Sequence, residues 1–101
     1  MSWCFCKIEK DKYVFENDLA FAIWDINPVS KGHILCIPKR HVETYFDASR
    51  AEVNACLDLI DKAKVLIEEK YKPSGYNIYV NIGETAGQVV FHLHFHLIPR
   101  Y

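Results

Sequence analysis

Three histidines, His92, His94 and His96, stand at alternate positions in the run Phe91-His92-Leu93-His94-Phe95-His96-Leu97. In an extended strand successive side chains point to opposite faces, so the three imidazoles share one face at steps of about 6.6 to 7 Å. Phe91, Leu93, Phe95 and Leu97 share the other, which suits packing beneath a helix. A single buried histidine is commonly a core residue with its hydrogen bonds satisfied. Three on one face each lose hydration, each need a partner, and repel one another when protonated. Two kinds of chemistry fit. One is metal binding, in which His-x-His supplies two nitrogens and Cys4, Cys6 and His41 could complete a tetrahedral site. The other is attack on phosphorus by a neutral imidazole, with one neighbouring histidine fixing its tautomer and another binding oxygen.

The elements that must position this run are readable from periodicity. Residues 12–24 alternate loosely around Val14, Phe15, Leu19, Phe21 and Ile23, interrupted by the polar turn cluster Glu16-Asn17-Asp18, and predict a hairpin. Residues 25–32 are rich in turn formers. His33-Ile34-Leu35-Cys36-Ile37 follows as a short apolar run that Pro38 ends, the pattern of a central strand. Residues 49–72 carry the one long helical signal: Val53, Cys56, Leu57, Ile60, Ala63 and Ile67 recur at intervals of one to four residues, mostly three or four. Ser49 and Glu52 have the spacing of a capping box, and Pro73-Ser74-Gly75 ends the helix. Residues 76–81 and 88–98 predict two further strands, joined by a loop whose Gly83 and Gly87 suit a tight turn near a ligand. The fold class is α+β, with a mainly antiparallel sheet of about five strands and one long helix packed on it.

Composition bounds the function. The chain has 101 residues, half of them hydrophobic, and is expected to form a single domain over residues 1–101. A domain this small buries a modest share of its surface, which favours a partner such as a second copy. A net charge of −1 with no basic stretch argues against nucleic-acid binding. The longest apolar run, residues 19–24, is far short of the roughly 20 residues a bilayer needs, so no membrane association is expected. Met1-Ser2-Trp3-Cys4 lacks the regions of a signal peptide, which predicts a cytoplasmic protein with reduced thiols. Cys36 and Cys56 fall in apolar patterns and are expected in the core.

The run His92-Leu93-His94-Phe95-His96-Leu97-Ile98 resembles the signature of the histidine-triad (HIT) superfamily, His-φ-His-φ-His-φ-φ with φ apolar. The resemblance extends over nearly the whole chain. It takes in Cys4-Phe5-Cys6-Lys7-Ile8, Asp25-Ile26, Lys31 through His41, and Asn81 seven residues before Gln88. It implies hydrolysis or transfer at the α-phosphate of a purine nucleotide conjugate, releasing a nucleoside monophosphate such as AMP. By the same resemblance His94 is the nucleophile that forms a covalent nucleotidyl-histidine, His96 binds a phosphate oxygen, and His92 orients His94. Asn81, Gln88 and the backbone N–H groups of Gly87, Gln88 and Val89 cradle the phosphate. Asp25 binds the ribose hydroxyls, Ile26 adjoins it, and Phe5, Ile8, Phe21, Ile23, Ile26 and Leu35 are candidates for the base pocket. No cofactor is required for this chemistry, and a homodimer with a continuous sheet is implied.

Two departures from the family pattern bear on function. Val89 stands where many members carry Ser or Thr, so a hydroxyl near the leaving group is missing. Some bacterial-type members bind structural zinc through Cys-x-x-Cys, a histidine after Pro-Lys-x and the first triad histidine. Here those positions give Cys6, His41 and His92, but Trp3 replaces the first cysteine and Cys4 is one residue off. Cleavage of phosphoramidates or acyl-adenylates, cleavage of dinucleoside polyphosphates, and nucleotide binding without turnover are therefore the readings to separate. An imidazole nucleophile further predicts a rate that declines as the triad protonates.

Overall fold

The computed structural model describes residues 5–101; Cys4, expected among the zinc ligands, lies outside them. Five strands, β1 (Phe15–Glu16), β2 (Ala20–Trp24), β3 (Ile34–Pro38), β4 (Gly75–Tyr79) and β5 (Phe95–Arg100), form one antiparallel sheet in the order β1-β2-β3-β5-β4. One long helix, α1 (Arg50–Tyr71), packs on it. The polar cluster between β1 and β2 turns the chain as expected: the Asn17 side chain accepts from the N–H groups of Leu19 and Ala20 at 3.1 and 2.9 Å. No helix among the described residues is long and apolar enough to cross a membrane.

β3 is central, and Ile34, Leu35, Cys36 and Ile37 are all buried because both faces of the sheet are covered there. Ile34 and Cys36 pack with α1, while Leu35 and Ile37 join Phe5, Phe21 and Ile23 on the opposite face. The helix begins with the expected capping box, Ser49 Oγ accepting from Glu52 N–H at 3.1 Å and Glu52 Oε1 from Ser49 N–H at 2.8 Å. Its buried stripe runs through Val53, Cys56, Leu59, Ile60, Ala63 and Ile67; Leu57, expected in it, is 41% exposed, and Leu59 on the other edge of the stripe is buried. Pro73 cannot continue the helix, and Lys72 closes it in the left-handed region at φ 50°.

Glu52 also ties the helix to the segment after β3. Its carboxylate accepts two hydrogen bonds from Arg40, at 2.8 and 2.9 Å, and the Arg40 guanidinium holds its pKa down to about 2. Arg40 sits between Pro38 and His41, both of which contact His92, so this clamp fixes the backbone that the first triad histidine leans on.

The strand expected over residues 88–98 is shorter at its start. Regular pairing begins only at Phe95, where Cys36 and, one residue on, Tyr79 provide partners, and it runs through Pro99 to Arg100. His92 and His94 therefore precede β5 on an irregular segment, fastened by the bond from Leu93 N–H to Val42 O at 2.7 Å. Alternation survives without the ladder. Leu93, Phe95 and Leu97 enter the helix-side core, while His92 and His94 contact Phe5 on the other face. Phe91, expected in the apolar set, is only partly buried and outside that core.

Candidate active site

Each imidazole has one nitrogen committed to a partner that determines which nitrogen carries the proton. A carbonyl oxygen cannot donate, so a ring nitrogen bonded to one must carry hydrogen. His94 Nδ1–H donates to His92 O at 2.8 Å, which leaves a lone pair on Nε2 in the neutral ring. His92 Nε2–H donates to Pro38 O at 2.8 Å, leaving the Nδ1 lone pair to accept from Cys6 Sγ–H at 3.6 Å. The His92 carbonyl is therefore the group that meets His94 Nδ1.

His96 is set by a residue that was read only as part of an apolar strand. Val29 N–H donates to His33 Nδ1 at 3.1 Å, so the proton of neutral His33 is on Nε2. That Nε2–H lies 2.9 Å from His96 Nδ1 and 3.3 Å from Asp25 Oδ2. His96 Nδ1 is thus an acceptor and its own proton is on Nε2. One ring presents a lone pair and its neighbour, 4.9 Å away between centroids, presents a donor.

Burial disfavours charge on these rings. His92 and His33 are almost fully buried, His94 is 9% exposed and His96 is half-buried. Desolvation is the largest cause that lowers the pKa of His33, His92 and His94, and it brings His96 down to about 4 with help from His94 and His33. The Asp25 carboxylate and the His92 carbonyl oppose the shift at His94 without cancelling it.

His94 and His96 open onto a cleft of about 220 Å³ whose walls include Phe5, Ile23, Asp25, Ile26, Leu35 and Val90. Ile23 and Ile26 continue into an adjoining apolar recess of about 460 Å³ that Ile8 and Trp24 help to line. Of the residues expected in a base pocket, Phe5, Ile8, Ile23, Ile26 and Leu35 come together here. Phe21 instead stacks on Tyr13, with centroids 4.3 Å apart. Asp25 reaches the cleft, and its Oδ1 also accepts from Asn27 N–H at 2.9 Å, so it caps the turn as well.

The loop before the triad is built differently from the expected set of donors. Gln88 is buried and its amide is turned inward: Oε1 accepts from Gly83 N–H at 2.8 Å, and Nε2 donates to Glu43 O at 2.7 Å and Val90 O at 3.1 Å. Gly87 and Gln88 N–H are spent on the carbonyls of Glu84 and Gly83, and Asn81 Nδ2 donates to Gly87 O at 3.3 Å. Among Gly87, Gln88 and Val89, the Val89 N–H is the one without a carbonyl partner among the described residues. Gly83 and Gly87 adopt φ of +88° and +100°, which explains both glycines. Gln88 therefore shapes this loop, and the exposed Val89 side chain adds no polar atom to it.

Among the described residues, two groups of side chains have donor atoms close enough to share a metal ion. Cys6, His41 and His92 place theirs within 4.8 Å of one another. His41 Nε2–H donates to Phe91 O at 2.9 Å, so, like His92, it anchors one nitrogen on a carbonyl and keeps the other as a lone pair, the usual arrangement behind a metal ligand. A thiol and two such imidazoles suit zinc. Asp25, His33 and His96 meet the same distance limit but fail on chemistry, because Val29 N–H keeps the proton on the His33 nitrogen that would have to bind.

Residues 7–101 match the HIT domain. An adenosine 5′-monophosphoramidase of Schizosaccharomyces pombe is 38% identical over 104 residues, covering 99% of this chain and 75% of that protein. A crystal structure of a HIT family protein from Bacillus anthracis superposes with a TM-score of 0.85 at 40% identity, covering 89% of this chain and 64% of the other. A Zn-bound histidine triad family protein from Mycobacterium smegmatis gives 0.81 at 32% identity, covering 88% and 65%. The chain spans just under two thirds of the length of these two structures. With the sheet, the helix and the triad in place and the domain matched from residue 7 to the last residue, the chain belongs to the HIT family.

Proposed function

We propose that the chain is a nucleotide hydrolase or transferase acting at the α-phosphate of purine nucleotide conjugates, of which phosphoramidates and acyl-adenylates are the favoured class. The observation that carries this reading is the pair of oppositely protonated rings, His94 with a bare Nε2 and His96 with Nε2–H, opening onto one cleft that Asp25 also lines. The S. pombe relative, named for phosphoramidate cleavage, supports the same substrate class.

In this reading the base enters the apolar recess, Asp25 accepts hydrogen bonds from the ribose, and the α-phosphate meets His94. The Nε2 lone pair forms an N–P bond while the bond to the leaving group breaks, and the leaving group departs with the electron pair. The phosphorylated imidazole carries positive charge, which the His92 carbonyl at Nδ1 stabilises. His96 Nε2–H and the Val89 N–H donate to phosphate oxygens. Water then attacks phosphorus and gives up a proton to solvent, the P–N bond breaks with its electron pair returning to Nε2, AMP is released and neutral His94 is restored. With valine at position 89, the proton for the leaving amine comes from water. The purified chain is expected to release AMP from adenosine 5′-phosphoramidate without added metal. Absence of turnover with AMP still bound would shift the assignment to dinucleoside polyphosphates or to a binding protein.

We further propose that Cys6, His41 and His92 hold a structural zinc, as the Zn-bound relative suggests. Zinc there would cross-link the N-terminal segment to the backbone that carries His94. Metal analysis of the purified protein checks this: His41→Ala is expected to lose the metal and His94→Ala to keep it, while loss in the second variant would make His94 a ligand and overturn this site. A second copy of the chain is the proposed partner, along the free edge of β4 where Ile78 is exposed. Sedimentation at micromolar concentration should give twice the mass of the chain; the monomer mass there would rule this pairing out.

A further inference from the structure

Tyr79 and His96 face each other directly across the β4–β5 ladder, with Leu35 opposite His96 on the β3 side. The Tyr79 ring is stacked on the imidazole, with centroids 4.6 Å apart and planes 24° apart, whereas His94 meets the same ring edge-on at 61° and His33 at a tilt of 43°. The hydrogen bond from His33 holds His96 Nδ1 only while the two rings stay aligned, and a swing of the imidazole out of that alignment breaks it. A parallel aromatic face removes the swing. Tyr79 is itself 39% exposed, which is a poor placement for a residue whose only role is to fill the core.

We propose that Tyr79 is a positioning residue for His96: its stacked ring holds the imidazole in the plane where Nδ1 meets His33 and Nε2–H faces the cleft. The inference rests on the proposed reaction for its kinetic consequence, though not for its structural one. The test compares wild type, Tyr79→Phe and Tyr79→Leu at matched oligomeric state, reading the His96 tautomer by ¹⁵N NMR and kcat and KM with adenosine 5′-phosphoramidate. The phenylalanine variant is expected to stay within about twofold and keep a single tautomer, since it retains the ring. The leucine variant is expected to lose about tenfold or more in kcat with a smaller change in KM, because an aligned donor matters most as charge develops. Its His96 nitrogen signals should move toward the average of the two tautomers. Tyr79→Val replaces Tyr79→Leu if the latter fails to fold. A leucine variant with the wild-type nitrogen pattern and kcat within twofold would overturn the proposal, as would a phenylalanine variant as impaired as leucine. If the wild type itself shows no turnover, the proposed reaction fails while the nitrogen signals still decide the role of Tyr79.

Discussion

Replacing His94 by alanine is expected to lower turnover of adenosine 5′-phosphoramidate by about 10⁴-fold or more while leaving AMP binding largely intact. The expectation follows from what His94 alone supplies. It has the bare nitrogen on the cleft, whereas His96 presents a proton there and His92 is fully buried with its bare nitrogen turned to Cys6. No neighbouring ring can take over the attack. AMP binding survives in this account because Asp25, the apolar recess and His96 remain. The wild-type pH profile carries the same information. Because burial lowers the His94 pKa from 6.5, the neutral nucleophile persists below the ordinary imidazole range, and the acid limb should have its midpoint below pH 6.5. A His94→Ala protein within tenfold of wild type, or an acid limb at or above 6.5, would remove His94 from the role assigned to it.

His33→Phe is the second large effect, expected to lower kcat by about 10²-fold although His33 need not touch substrate. In the wild type, Val29 N–H forces the His33 proton onto Nε2, and that proton forces the His96 proton onto its own Nε2. Phenylalanine keeps the volume but breaks this relay, so His96 can place its proton on Nδ1 and turn a lone pair toward the phosphate. A wrong tautomer at a catalytic ring is costly because repulsion replaces a hydrogen bond at the position where charge develops. The substitution also leaves Val29 N–H without its partner, at a cost of about 1–3 kcal/mol in stability, so kcat should be compared well below the melting transition. A kcat within about threefold of wild type would show that His96 keeps its tautomer without His33.

The shared face of the triad histidines was legible because alternation along an extended chain holds whether or not a ladder forms around it, whereas Asp25 was named only by the family resemblance. The helix was legible through its three- and four-residue spacing and its capping box, although periodicity alone did not show which edge of the stripe is buried, that of Leu59 or the opposite one of Leu57. The start of β5 was not legible, since where pairing begins depends on where β3 and β4 end. His33 stayed hidden for a related reason. A histidine opening an apolar run reads as strand until the register brings it beside His96, 63 residues away. Gln88 was named for the phosphate cradle by the family resemblance, and the three hydrogen bonds with which its amide holds the loop could not be read from the sequence. Tyr79 needed the β4–β5 register before its place on His96 could be seen.

In the proposed reaction phosphorus passes through a covalent bond to His94 Nε2. Rapid mixing with adenosine 5′-phosphoramidate, quenching in alkali where phosphorus–nitrogen bonds to imidazole survive, and mass analysis of the peptide that contains the triad test it directly. Transient adenylylation of His94, absent in His94→Ala, is the predicted result. Turnover at full rate with no adenylylated peptide at any time, or with the label on His92 or His96, would contradict it.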